Sequence, residues 1–302
     1  MFIACACLST IHKYYLPSSF KFSIMRFLFL ILLIILWFPL LSFCYTPTRI
    51  PVKLGDNEIY LLKYDKAGES MVFVHVHENE TSSLEAGLHT WNRTGGKLIT
   101  LVHSFDGSKN RFVSFSHKKT TYRFDPNRIY THDRTILKNN ISIVKGKGEV
   151  DDFIVNEVEK LAKIIWREVD GFSFIIALHN NKNEAGALVR KNWFKKVYRE
   201  ESFNITSYVK KFDTESSSNL SCDDIYINPR LNNSEFFIVT ERRDFSILYR
   251  KRYTVVLQND NPIDDGSMSV FAKKYNIRYV NTEAKMGRIK EQIEMLRILL
   301  DL

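Results

Sequence analysis

The chain has 302 residues, 45% hydrophobic, 25% charged and 13% aromatic, with 12 Gly and 7 Pro. These proportions exclude a disordered, collagenous or low-complexity protein, and the length suits one large α/β domain or two small ones. Net charge is +9, but Lys13, Lys21 and Arg26 precede residue 45 with no acid beside them, so the remainder carries 40 bases against 34 acids. Those bases are dispersed apart from short runs such as Lys195-Lys196 and Arg250-Lys251-Arg252. Nucleic-acid binding needs bases clustered with aromatics on one face, so no nucleic-acid partner is expected.

Residues 27–44 are almost wholly apolar and follow Met25-Arg26, a short positive flank. This reads as a secretory signal or an N-terminal membrane anchor. The run lies at the lower length limit for a membrane span, and Pro39 near its end suits an export signal. Cleavage near 42–46 is the first expectation and a retained membrane tether the second; Met25 is an alternative start. Either way the folded part, 45–302, is expected outside the cytoplasm, as a periplasmic, secreted or outward-facing anchored protein. Cys5, Cys7 and Cys44 fall in the leader, leaving Cys222 without an internal disulfide partner.

After a linker near 46–51, β-rich runs at 71–76, 97–102, 172–178, 236–240, 253–257 and 277–280 read as buried strands. Amphipathic helices fall between them. One follows Thr81 and Ser82 as candidate caps, places Leu84, Leu88 and Trp91 on one face and stops at Gly95-Gly96. A second opens at Asp151 or Asp152 and spaces Ile154, Val158, Leu161 and Ile165 helically. A third follows Gly287 with Ile289, Ile293, Leu296 and Leu300. The stretch 264–269 reads as a turn capping a helix before the last strand. The alternation predicts an α/β fold, a mixed and mostly parallel central sheet with helices on both faces. Ligands of such sheets bind at the carboxyl ends of the strands.

The segment Val74-His-Val-His-Glu-Asn-Glu-Thr81 ends an apolar strand in His and acidic residues just before a helix. His77 and Glu80 form an H-x-x-E pair, and His75 with Glu78 has the same spacing, so spacing alone leaves both open. Imidazole and carboxylate at a strand-to-helix turn are a common pair of zinc ligands. A third ligand is expected from His179, which ends the other His-terminated strand. His77, Glu80 and His179 would then form a two-His, one-Glu zinc site with a coordination position left for water.

His77-Glu-Asn-Glu80 resembles the H-G-N-E signature of the succinylglutamate desuccinylase and aspartoacylase group of the zinc carboxypeptidase superfamily. Phe124-Asp-Pro-Asn-Arg-Ile-Tyr130 resembles the superfamily's D-x-N-R-x-F element, Ala177-Leu-His179-Asn its D-L-H segment, and Tyr279-Val-Asn-Thr-Glu283-Ala its catalytic-glutamate segment. The four occur in the family's order over roughly residues 70–290. The resemblance implies a zinc carboxypeptidase-like, phosphorylase/hydrolase-like fold. It also selects His77 and Glu80 over His75 and Glu78, which become bystanders, and implies one bound zinc ion.

The same resemblance implies roles for further residues. Glu283 is expected as general base, and Asn127 with Arg128 as the grip on a substrate carboxylate. Arg123 is a candidate for polarising the scissile carbonyl, although no motif fixes it; Tyr279 reads as a core aromatic. Ala177 departs from the family's Asp, so a site carboxylate is missing or supplied from elsewhere. The long interval between His179 and Glu283 points to an insertion around 182–235, with a polar run at 213–219. The implied activity is hydrolysis of an amide bond in a small anionic peptide or N-acyl amino acid. The alternative is a non-catalytic binding protein that keeps the fold, for which Ala177 is the main support.

Overall fold

Every residue of β3 (Met71–His75) is buried, as expected of a strand covered on both faces of a sheet. In this computed structural model the described residues are 45–181, 183–192, 195–202, 205, 208 and 222–302. The apolar segment 27–44 and the polar run 213–219 lie outside them. Pro47–Leu302 forms one compact unit. Among the described residues, no helix is long and apolar enough to cross a membrane.

The elements in chain order are β1 (Thr48–Leu54), β2 (Asn57–Lys66), β3, α1 (Thr81–Thr94), β4 (Gly96–Val102), β5 (Val113–His117), β6 (Thr120–Phe124), α2 (Arg134–Asn139), β7 (Ile141–Lys145) and α3 (Asp152–Val169). They continue with β8 (Phe174–Asn181), β9 (Asn183–Asn192), β10 (Lys195–Ser202), β11 (Cys222–Tyr226), β12 (Phe236–Val239), α4 (Arg242–Arg250), β13 (Val255–Gln258), α5 (Met268–Lys274), β14 (Tyr279–Lys285) and α6 (Ile289–Leu299).

Nine strands form one mixed sheet in the order β1-β2-β4-β3-β8-β14-β12-β13-β11. Its centre, β4-β3-β8-β14, is parallel throughout. The flanks bring in antiparallel pairs at β1-β2, β2-β4, β12-β14 and β11-β13. β5, β6 and β7 make a separate three-stranded antiparallel sheet, and β9 pairs with β10 antiparallel within the expected insertion. The expected linker near 46–51 already belongs to β1, an edge strand, the position in a sheet where a proline such as Pro51 is tolerated.

Alternation along the central strands sorts side chains into two cores. Val72, Val74, Ile175, Ala177 and Tyr279 join α3 and α5 on one face, with Val113, Phe115, Tyr122 and Phe124 of the small sheet. Phe73, Ile176, Leu178 and Val280 join α1, α4 and α6 on the other. Asp151 caps α3 by accepting the Ile154 N–H at 3.1 Å. Helix α1 ends at Gly95, whose φ of +74° and contact with the Ala67 carbonyl leave no room for a Cβ.

Candidate metal centre

β3 ends at His75, and the chain then turns tightly, the Glu80 N–H donating to the His77 carbonyl at 2.9 Å. The turn folds Glu80 back beside His77 immediately before α1. Thr81 and Ser82 do not cap that helix. Instead Asn180, just past His179 on β8, accepts the Ser83 N–H at 2.7 Å, satisfying a first-turn donor that no residue of the helix can satisfy. Asn180 also donates to Gln292 of α6 at 2.9 Å, and Gln292 donates to the His179 carbonyl at 2.9 Å. The end of β8 is therefore fixed from both α1 and α6.

His77, Glu80 and His179 meet in one buried cluster. His77 Nδ1 lies 3.1 Å from His179 Nδ1 and 2.9 Å from Glu80 Oε1, and His179 Nδ1 lies 3.0 Å from Glu80 Oε2. Ligands held at about 2.0–2.2 Å by a tetrahedral zinc ion stand roughly 3.4 Å apart, so a small outward movement of the donor atoms is all that separates this set from a zinc site. The donors also fit in kind, two neutral imidazoles and a carboxylate.

Asp125, directly after β6, accepts from His77 Nε2 at 2.7 Å. With one ring proton held there, it is Nδ1 that would lose its proton and turn a lone pair to an ion at the centre. The Arg111 guanidinium spans the cluster, donating to Glu80 Oε1 at 2.8 Å and to Asp125 Oδ2 at 3.1 Å. Burial opposes charge on all these groups, but their mutual attraction prevails. His77 and His179 hold the Glu80 carboxyl well below its usual range, and Glu80 and Asp125 lift His77 to about 9. Asp125 is held low by His77 and Arg111.

Glu283 is the cross-strand partner of His179 in the parallel pairing of β8 and β14. It is buried and accepts from Asn281 Nδ2 at 3.1 Å. Burial raises its carboxyl above the ordinary value, Glu80 adds to this, and His179, Asn281 and Arg111 oppose it. Tyr279, four residues before Glu283 on the same face of the strand, is buried in the core.

Asn127 gives its N–H to Asp125 Oδ1 at 2.8 Å, and its side-chain oxygen accepts from the Met268 N–H at 3.4 Å. Arg128 pairs with the Asp265 carboxylate, both being part-exposed. Arg123 is not brought to the cluster: on an exposed position of β6, its guanidinium lies 5.2 Å over the Phe112 ring. Strand alternation explains this, because Tyr122 and Phe124 turn inward and Arg123 between them must turn outward.

His75 is a satisfied structural residue, its two nitrogens meeting Thr100 Oγ1 at 2.8 Å and the Glu80 carbonyl at 3.1 Å. Ala177 is buried in the apolar core, and the carboxylate that holds the His77 ring comes from Asp125 instead. Asp125 stood in the sequence as the first polar residue of the Asp-Pro-Asn-Arg element. Arg111 carried no signal at all, lying in an irregular stretch between β4 and β5.

No family model and no curated protein matches the chain. A provisionally named succinylglutamate desuccinylase/aspartoacylase family protein of Shewanella amazonensis SB2B is similar in structure at 10% identity and TM-score 0.39, over 84% of this chain and 71% of that one. An aspartoacylase family protein of Mesorhizobium loti is similar at 11% identity and TM-score 0.36, over 84% and 65%. A protein provisionally named a metallopeptidase, also of S. amazonensis SB2B, is similar at 11% identity and TM-score 0.34, over 84% and 85%.

Proposed function

We propose that the chain is an exported, zinc-dependent hydrolase of amide bonds, acting on a carboxylate-bearing peptide or N-acyl amino acid, with the peptidase slightly ahead. The observation that carries this reading is the His77, Glu80 and His179 donor triangle with Glu283 in cross-strand register beside it. Zinc held there supplies a water of lowered pKa and polarises a carbonyl.

The residues of the chain do the rest. The Glu283 carboxylate takes a proton from the attacking water, whose oxygen bonds to the carbonyl carbon, and returns it to the leaving nitrogen as the C–N bond breaks. Burial of Glu283 raises its proton affinity toward working pH, which suits a group that must both accept and give. Arg111, rather than Arg123, is the cation beside the cluster and meets the developing oxyanion. Asn127 and Arg128 bind the substrate carboxylate, with Arg128 exchanging Asp265 for it. The apolar leader at 27–44 supports export or a membrane tether.

The reading is tested by elemental analysis of the purified protein beside a His77→Ala/His179→Ala variant, with peptide and N-acyl amino acid hydrolysis measured in parallel. At least one zinc per chain in the parent, none at this centre in the folded variant, and hydrolysis only in the parent are expected. A parent that holds no metal here after zinc is supplied overturns it.

A further inference from the structure

Among the described residues, five buried side-chain polar atoms have no hydrogen-bond partner, and three of them belong to the segments that follow β3 and β4: Glu78 Oε2, Asn79 Oδ1 and His103 Nε2. Two of these face each other. His103 Nε2 lies 3.8 Å from Glu78 Oε2, and both side chains are buried. Leaving a carboxylate oxygen in such a place without a partner costs free energy.

The imidazole's other contact fixes which way its lone pair points. The ring hydrogen-bonds to the backbone of Asn110, and the contact favours the protonated ring, which identifies it as donation to a carbonyl. Because Nε2 is the nitrogen without a partner, the donor is Nδ1. Nε2 therefore presents a lone pair to a carboxylate oxygen, while burial and the neighbouring His77 keep the ring from charging, its pKa down at about 4. Two acceptors facing each other are stable only with something electropositive between them. A metal-binding histidine has this same arrangement, one ring nitrogen tied to a carbonyl and the other free.

The separation distinguishes the candidates. Ligands of a divalent transition-metal ion at about 2.0–2.2 Å stand roughly 3.4 Å apart at a tetrahedral angle and at most about 4.2 Å apart. A water hydrogen-bonded to both at about 2.8 Å with a tetrahedral angle needs roughly 4.6 Å. The observed 3.8 Å falls inside the range one cation spans, whereas a water bridging the same two atoms would have its hydrogen-bond angle squeezed to about 85°. We infer that Glu78 and His103 form a second divalent-cation site, distinct from the His77, Glu80 and His179 centre, that takes a zinc- or cobalt-class ion. With only two protein side chains, it binds more weakly than the three-ligand centre. Asn79 Oδ1 is the other unpartnered oxygen in the same segment. The site does not depend on the protein being a hydrolase.

The test is a cobalt titration of the full, metal-stripped chain, read by visible absorption and equilibrium dialysis, on the parent, Glu78→Gln, His103→Asn and the His77→Ala/His179→Ala variant, each checked for folding by circular dichroism. Two ions per chain in the parent, one in Glu78→Gln and His103→Asn, and one in the double variant are expected. Saturation of the parent at one ion that Glu78→Gln and His103→Asn both retain overturns the second site and leaves the first intact. A single ion that survives the double variant but is lost with His103 supports the second site and removes the first. Parent stoichiometry alone decides the matter should a variant not fold: two ions supports the site and one ion held at the three-ligand centre overturns it.

Discussion

His179 and Glu283 stand opposite each other on neighbouring parallel strands, so an imidazole of the candidate metal centre and the proposed base share one face of the sheet without any loop between them. A base set on rigid backbone keeps its distance to the centre fixed. Replacing Glu283 by Gln removes proton acceptance but keeps the shape and the Asn281 neighbour. Hydrolysis should fall by about 10²–10⁴-fold with zinc content unchanged, measured on the same protein batch; retained turnover would remove Glu283 from the chemistry.

Asp125 holds the His77 ring by its Nε2, and loss of such a partner costs about 10–100-fold in metal affinity. Asp125→Asn should show that loss in competition with a chromogenic chelator. The same change frees Arg111 of one anchor, so the decrease should exceed that of Asn127→Ala, whose side chain touches no ligand.

The two arginines separate cleanly. Arg111→Ala removes the cation that bridges Glu80 and Asp125 and should lower kcat by about 10²–10³-fold. Arg123→Ala removes only an exposed contact with Phe112 and should leave kcat and KM near the parent values. Equal losses in the two variants would contradict this assignment of roles.

In metal-free protein, His77 titrates near 9 when folded against 6.5 for an ordinary histidine. A raised folded value stabilises fully below the unfolded pKa, and that stability disappears as pH rises through the folded one. Chemical denaturation of metal-free protein should therefore show stability falling between about pH 6.5 and 9, with the fall absent in His77→Gln. Zinc demands a deprotonated His77, so the loaded protein should gain relative stability across the same window.

Gln292 is completely buried and joins α6 to both Asn180 and the His179 carbonyl. Gln292→Leu leaves those groups unsatisfied at about 1–3 kcal/mol and loosens the ligand strand. A lowered denaturant midpoint together with weaker metal affinity is expected; a stability loss alone would show that the network does not position His179.

Central strands were legible because burial on both faces makes them continuously apolar, as in 71–75 and 174–178. Helices α1, α3 and α6 were legible from apolar spacing and their stops. The β1-β2 hairpin escaped notice because its strands alternate with an exposed face and carry Pro51 and charged residues. For the centre, His77, Glu80 and His179 could be named because strand ends gather donors in a parallel sheet. Arg111 could not, since an irregular segment has no period to fix where its side chain points. Glu78 read as a bystander because nothing in its spacing revealed that His103, at the end of the neighbouring strand, faces it. Arg123 went astray through parity, lying one residue out of step with the inward-facing positions of β6.

Strand β14, almost the last element of the chain, lies in the middle of the sheet between β8 and β12. During synthesis the growing polypeptide therefore carries two partial sheets, one ending at β8 and the other at β12, each with an unfilled edge where the final strand belongs. Neither can close before residue 285 has emerged, and Glu283 arrives with the strand that joins them. Joining elements so distant in sequence is slow, and exposed strand edges are templates for association. Chains terminated before β14 are thus expected to be aggregation-prone rather than partially active.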